Sequence, residues 1–274
     1  MSTHTRTPTE WFWLWVLWLS AGFVLFFLMA PIIAIMPLSV NSGQFLTYPL
    51  QGYSLRWYEA FLESPRWMSA VKNSLFVGSI STLLATTLGT LASLGLVRAT
   101  FRGKGLIMAI VLSPMIVPVI ITAVGFYFFF APLGLTSSYT GLILAHTALA
   151  TPFVVITVSA TLQGFDMNLA KAAASLGAHP TTVFFRVILP LILPGLASGA
   201  LFAFATSFDE VVVALLVAGP QQNTLPREMF SGIRENISPI ITAVATILTL
   251  MSIALLASLE ALRRRGERLR GIKS

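Results

Sequence analysis

Long apolar runs separated by short polar segments dominate the chain. A hydrocarbon core about 30 Å thick is crossed by roughly 20 apolar residues in a helix. Six segments are long enough, at about 11–38, 74–97, 106–131, 139–162, 195–217 and 239–259. They lack the period-two alternation of barrel strands, so the pattern predicts an all-α, polytopic membrane protein with six transmembrane helices. We expect one membrane domain over residues 1–274.

The position of the fifth span within Val187–Val217 is ambiguous. A span over 195–217 puts Asp209 and Glu210 in its outer half. Inserting an acidic group costs about 2.5–3.5 kcal/mol at the centre of a span, so an acidic group within a span marks a functional site. A start at Val187 would instead leave Asp209 as an exposed cap at the outer end. We favour 195–217, because Val211–Val217 continues the apolar run.

The charges predict an orientation. Charged residues make up 10% of the chain and the mean hydropathy is +0.84, whereas a soluble domain carries about 25% charged residues. With both termini inside, the basic residues concentrate in the predicted inner segments, among them the run Arg263–Arg270. The net charge of +7 is therefore a topology signal with some attraction to anionic lipid, and no nucleic-acid partner is predicted.

Motifs for chemistry within the chain are missing from the sequence. There is no cysteine and no Gly-x-x-x-x-Gly-Lys-Ser/Thr phosphate loop. No catalytic triad or metal-ligand spacing is present either. We therefore predict a chain that is not an enzyme, has no catalytic or metal-binding residues and binds no cofactor, so that any nucleotide hydrolysis belongs to another chain.

A short helix of small residues lies in the predicted cytoplasmic loop, residues 163–194. Its alanines are strong helix formers without bulk, Gly177 is a helix stop, and Pro180 follows. An interfacial linker is the plainer interpretation, but such helices use larger apolar groups and more Lys and Arg. The composition favours a docking surface for a cytoplasmic protein.

This segment, Lys171-Ala-Ala-Ala-Ser-Leu-Gly-Ala178, resembles the Glu-Ala-Ala-x-x-x-Gly coupling motif of permease subunits of ATP-driven (ABC) importers. More of the chain resembles the second membrane subunit of spermidine/putrescine-type permeases. The matching pieces are Tyr53–Tyr58, Asn73-Ser74, Arg98 with Phe101–Lys104, Pro114-Met115 with Pro118, and Ser207–Val213 with Gly219-Pro220 and Thr224–Pro226. Lys171 stands where the family has glutamate, which predicts an acidic or altered groove on the ATPase.

The resemblance implies a type I ABC importer permease-like fold and a bacterial cytoplasmic (inner) membrane location with both termini cytoplasmic. Expected partners are a homologous permease subunit, an ATPase dimer that holds ATP and Mg²⁺, and an extracytoplasmic binding protein that delivers putrescine or spermidine. The implied ATPase-coupling residues are Lys171, Ala172, Ala173, Leu176, Gly177 and Ala178.

A substrate pathway is expected at the acidic pair. On one continuous helix Thr206, Asp209 and Val213 share a face, so we assign Asp209 to the path and Glu210 to its rim or to a contact with the sister subunit. Tyr127 is the member to test of the aromatic cluster 126–130, where an interface belt is favoured over a cation–π cage.

Three further expectations concern packing and alternatives. The small residues Gly195, Gly199 and Ala203 predict close helix contact, and Pro114 and Pro118 predict a kink. His146 is expected to be a lone hydrogen-bonding residue rather than a proton relay. The alternative functions are an ion-coupled secondary transporter using Asp209 and His146, and an importer of ferric iron, sulfate or an amino-acid derivative.

Overall fold

The computed structural model describes residues 7–164, 166, 168–235 and 238–269. Over these residues the chain is helical, which confirms the predicted all-α class. The helices are α1 Pro8–Leu38, α2 Arg56–Glu63, α3 Pro65–Arg98, α4 Lys104–Ile116, α5 Val119–Phe130, α6 Tyr139–Gln163, α7 Asn168–Ser175, α8 Pro180–Val183, α9 Leu189–Phe208, α10 Val212–Val217, α11 Leu225–Glu235 and α12 Pro239–Leu269. A π turn, Phe184–Ile188, joins α8 to α9.

Within the described residues, five helical stretches are long and apolar enough to cross a membrane, or six if the bent pair α4–α5 is one span. The chain bends by 107° between the two helices of that pair. Val117 is extended, as expected before a proline, and Pro118 is the N-cap residue of α5. The predicted proline kink is therefore confirmed, whereas the predicted third span 106–131 is two helices.

The fifth predicted span also differs from expectation. Its helical stretch is Pro180–Phe208, and α10 follows after a break at 209–211. The favoured placement, an uninterrupted helix over 195–217, is therefore wrong. The structure instead shows the alternative, in which Asp209 is an exposed cap at the end of the helix. Because Val211–Val217 is apolar in either arrangement, hydropathy could not reveal the break.

Capping explains where two of the long helices begin. Thr7 and Glu10 form a capping box at the start of α1. At α3, Ser64 accepts a hydrogen bond from the Trp67 amide and Pro65 occupies the first turn. This helix begins nine residues before the predicted span at 74, because a helix starts at its cap and the apolar run starts later.

Contacts divide the chain into two compact units, 1–63 with 232–253, and 64–231 with 254–274. In the first unit the segment after α1 folds back on itself. Asn41 is fully buried, its Oδ1 accepts from the amides of Gly43 and Gln51, and its carbonyl accepts from Trp57 Nε1 at 2.8 Å. A division by contacts does not decide how many membrane domains there are, so the single membrane domain stays a prediction.

In the second unit α3, α6 and α9 pack against one another. A side chain at Gly89 would meet Val154 of α6 at 2.7 Å, and one at Gly199 would meet the Val154 Cα at 3.0 Å. A side chain at Gly195 would clash with the side chain of Thr161. The predicted small-residue stripe of α9 is therefore confirmed as a packing surface.

Two apolar clusters form the core of this unit. The first joins α3, α5, α6 and α10 through Val77, Ala123, Phe130, Leu142, Ala145, Leu149, Val213, Ala214, Val217 and Ala218. The second joins α3, α6, α7, α8, the π turn and α9 through Ala85, Ala150, Val154, Val158, Leu162, Ala170, Val183, Ile188, Ile192 and Ala203. The first cluster positions the acidic pair, and the second positions the small-residue helix.

Candidate coupling helix and acidic break

The small-residue helix is α7, and a Schellman motif ends it. The Gly177 amide donates to the Ala174 carbonyl at 3.0 Å, and the Ala178 amide donates to the Ala173 carbonyl at 3.1 Å. Gly177 has a φ of 81°, in the left-handed region that favours glycine. The predicted glycine stop is confirmed.

One face of α7 is held by the protein and the other is open. Ala170 is buried in the second cluster, and Ala173 and Ala178 pack against that cluster. Lys171, Ala172 and Leu176 are exposed, and the Leu176 side chain is 89% accessible. Gly177 is exposed as well, so the six predicted coupling residues lie on one helix and its cap, and four of them are exposed. Among the described residues Lys171 forms no ion pair.

The π turn connects this surface to α9. The Leu189 amide donates to the Phe184 carbonyl, five residues back instead of four. Pro190 follows directly and has no amide hydrogen, so the helical ladder lacks a donor at that position. Phe185, on the π turn, is exposed. No pattern in the sequence predicts the π register of this turn.

The acidic pair lies in the break between α9 and α10, and its two carboxylates differ. Asp209 is the C-cap residue of α9, donates its amide to the Ala205 carbonyl at 3.0 Å and is exposed. Glu210 Oε1 accepts a hydrogen bond from the Val213 amide at 2.9 Å. Glu210 therefore caps α10, whereas no described side-chain hydrogen bond engages the Asp209 carboxylate.

The other predicted pathway residues are not gathered around this carboxylate. Thr206 is half-buried in the last turn of α9, and Val213 is fully buried in the first cluster. The expected shared face of Thr206, Asp209 and Val213 is wrong, because it required an unbroken helix. Tyr127 lies on α5 and meets Phe128 edge-on at 5.7 Å. No described contact joins Tyr127 to Asp209.

His146 of α6 approaches the break from the side. Its Nδ1 lies 2.9 Å from Ser207 Oγ, two residues before Asp209, and the imidazole is buried. This bond supports the expectation that His146 is a hydrogen-bonding residue.

A buried polar network fixes the connection that follows α10. Asn73 Nδ2 donates to the carbonyls of Gln221 and Asn223, both at 2.9 Å, and Asn73 Oδ1 accepts from the Tyr139 hydroxyl at 2.8 Å. Glu228 is buried and pairs with Arg66. Asn73 was one piece of the resemblance, but its role could not be inferred, because its partners lie 66 to 150 positions away.

The described side chains can offer an exposed carboxylate to a cation and a small, protein-backed helix to a partner. Across the described stretches no group of three or more His, Cys, Asp or Glu could hold a metal ion.

Comparison with known proteins bears on both features. The profile of a family described as "Binding-protein-dependent transport system inner membrane component" matches residues 85–269. The spermidine/putrescine transport system permease protein PotC of Escherichia coli K12 is 33% identical over 238 residues, covering 87% of this chain and 90% of that protein. The putrescine transport system permease protein PotI of the same organism is 36% identical, covering 81% of each.

A third relative, the molybdenum transport system permease protein ModB of Mycobacterium bovis, is 31% identical over 68% of this chain and 78% of its own length. Among solved structures, a bacterial ABC transporter that imports the acidic polysaccharide alginate contains a chain with a TM-score of 0.71 and 16% identity, covering 96% of this chain and 99% of that one. A chain of the MetNI methionine ABC transporter has a TM-score of 0.54 and 22% identity, and the match covers 76% of this chain and 96% of that one. These structures show a shared fold.

Proposed function

This chain belongs to the family of binding-protein-dependent transport system inner membrane components, and from that premise we propose that it forms half of the translocation path of an ATP-driven polyamine importer. Its relatives are permease proteins of transport systems, which confirms the prediction of a transport subunit rather than an enzyme. Membership also argues against the ion-coupled alternative. Both termini face the cytoplasm in this proposal, by the distribution of basic residues.

One observation carries the coupling role, namely that α7 is buried on one face and exposed on the other. Ala170 anchors the helix in the second cluster, while Leu176 projects from its end and Lys171 from its open face. A rigidly held helix with an exposed apolar end suits a groove on another protein, since an apolar anchor and its pocket carry much of the energy of an interface.

The partner that fits this surface is an ATPase dimer on the cytoplasmic side, which holds ATP and Mg²⁺. A homologous permease subunit forms the other half of the path, and a soluble binding protein delivers the substrate from outside. The alginate transporter was solved with its substrate-loaded periplasmic protein, which supports such an assembly. Closing of the ATPase pair would move α7, and the second cluster connects α7 with α6 and α9.

The substrate class follows from two supports. The relatives PotC and PotI are named for spermidine and putrescine, and Asp209 offers an exposed carboxylate that no described side-chain hydrogen bond engages. A polyamine carries ammonium groups, which a carboxylate binds through charge-assisted hydrogen bonds. An acidic break favours a cation over sulfate as the cargo.

The direct test is Asp209→Asn in the assembled importer, reconstituted into liposomes with its partner permease, ATPase and binding protein. Hydrogen bonds to charged groups contribute about 1.5–3 kcal/mol, so initial uptake of labelled putrescine and spermidine should fall about tenfold or more. Assembly should not change, because the carboxylate supports no described packing.

Glu59→Gln is the control, since Glu59 is an exposed acid on α2; its uptake should match the unmodified complex. Asp209→Glu, which keeps the charge, should recover part of the loss. Uptake by Asp209→Asn at the unmodified rate would refute the pathway role.

A further inference from the structure

His146 is a buried imidazole with only one of its two nitrogens engaged. The residue is 1% exposed, and Nδ1 lies 2.9 Å from Ser207 Oγ. Nε2 is buried and has no hydrogen-bond partner among the described residues. A neutral imidazole has one donor nitrogen and one acceptor nitrogen, so either tautomer leaves Nε2 unsatisfied. A buried nitrogen without a hydrogen-bond partner destabilises the fold. The hydrogen bond through Nδ1 is the polar interaction that His146 contributes.

This bond lies close to the acidic break. Ser207 is in the last turn of α9, and Asp209 is the residue that ends that helix. Because the chain leaves its helix immediately after Ser207 and Phe208, a tether at Ser207 fixes where the backbone of Asp209 begins.

The other side of the break is held by the same helix. Val213, Ala214 and Val217 of α10 belong to one cluster with Leu142, Ala145 and Leu149 of α6. His146 lies within this short stretch of α6. The helix therefore holds α9 by a polar bond before the break and α10 by apolar packing after it.

We propose that His146 is a positioning residue that sets the location and accessibility of the Asp209 side chain through its Nδ1 bond to Ser207. The inference deepens the proposed function, since it gives transport significance to His146 only if Asp209 lies on the path of the cation. In this proposal Nδ1 positions Asp209 and Nε2 has no role.

The two amide residues separate the roles of the two nitrogens. Asparagine places its polar atoms at the δ position, as Nδ1 is placed, whereas glutamine places them at the ε position, as Nε2 is placed. His146→Asn should therefore keep the tether to Ser207. His146→Gln, His146→Leu and Ser207→Ala should lose it.

The readout is the reactivity of position 209. The chain contains no cysteine, so Asp209→Cys introduces a single thiol, whose rate of labelling by a cationic methanethiosulfonate is measured in the assembled importer. A lost hydrogen bond corresponds to a change of about fivefold in a local equilibrium. We expect a change of that size when Gln, Leu or the Ser207→Ala change is added, and an almost unchanged rate with Asn.

A coupling test and a packing control complete the design. His146→Leu and Ser207→Ala combined should change the rate no more than either alone, because both remove the same bond. Ser93→Ala is the control, since the Ser93 hydroxyl bonds to the Val155 carbonyl between α3 and α6 at 3.2 Å, away from the break. It should leave the labelling rate unchanged.

Several outcomes would overturn the inference. An unchanged labelling rate in both His146→Leu and Ser207→Ala would overturn it. Labelling or uptake that is preserved in His146→Gln and lost in His146→Asn would also overturn it, because Nε2 would then be the atom that matters. A change with Ser93→Ala as large as that with Ser207→Ala would reduce the effect to general packing. Normal uptake by Asp209→Asn with His146-dependent labelling would instead reject the pathway role and leave the tether standing.

Discussion

At the scale of single residues, two neighbouring carboxylates have different roles. The Glu210 carboxylate accepts a hydrogen bond from the Val213 amide at the start of α10, whereas the Asp209 side chain is exposed. A side-chain oxygen that accepts an orphan amide at a helix start stabilises the helix. The difference comes from which backbone amide each carboxylate can reach.

Removing the cap should therefore weaken the break without removing the pathway charge. Glu210→Ala should lower the stability of the complex by about 1 kcal/mol, the usual value of a helix cap, whereas Glu210→Gln keeps an oxygen for the Val213 amide and should remain close to the unmodified protein. Thermal unfolding of the purified complex measures both. Equal losses in the two variants would show that the charge, and not the cap, is what matters.

The sequence singled out the two acidic residues, but it did not predict how they are arranged. Asp209 stands out because acidic residues are rare in so apolar a chain. That the helix would stop there was not predictable from hydropathy, since the bond from Glu210 to Val213 replaces the helical ladder locally without changing composition. His146 was recognised as hydrogen-bonding, but its partner Ser207 lies 61 positions away.

At the scale of elements, the coupling helix depends on its ending. Gly177 adopts a left-handed conformation, and the two hydrogen bonds that close the helix require it. The sequence predicted this element well, because alanine content, a following glycine and a nearby proline are all local signals.

Gly177→Ala should strain the ending by about 1–2 kcal/mol, the penalty for a left-handed residue with a side chain. We expect weaker association with the ATPase, measured by titrating detergent-solubilised permease with ATPase. Gly177→Asn should be milder, since asparagine tolerates this conformation. Gly164→Ala is the matched control, because Gly164 has a φ of −82°. Indistinguishable binding by Gly177→Ala and Gly164→Ala would contradict the proposed role of the turn.

The contact between α6 and α9 gives a second element-scale prediction. A methyl group at Gly199 would meet the Val154 backbone at 3.0 Å, whereas one at Gly125 of α5 meets nothing within 4 Å. Gly199→Ala should destabilise the complex by about 1–3 kcal/mol through overpacking, while Gly125→Ala should be neutral or stabilising by helix propensity. The midpoint of thermal unfolding is measured for the two variants. An equal change in Gly199→Ala and Gly125→Ala would show that the close contact is not the cause.

At the scale of the whole molecule, family membership joins the two surfaces into one function. The coupling helix lies in the second cluster and the acidic break beside the first, and α6 contributes to both. Composition and charge could predict a polytopic membrane protein, and the coupling motif could predict its class. The bend of 107° between α4 and α5 could not be predicted in size, because a proline permits a range of bends and tertiary packing selects one.

The central claim is that this chain transports its substrate only when a docked ATPase supplies the work. The most direct measurement is uptake of labelled putrescine and spermidine into liposomes that contain this chain and its partner permease, with the binding protein outside and the ATPase and ATP inside. We predict uptake that requires the ATPase, ATP and the binding protein together, and substrate-stimulated ATP hydrolysis. Uptake that continues when the ATPase is omitted would contradict the account.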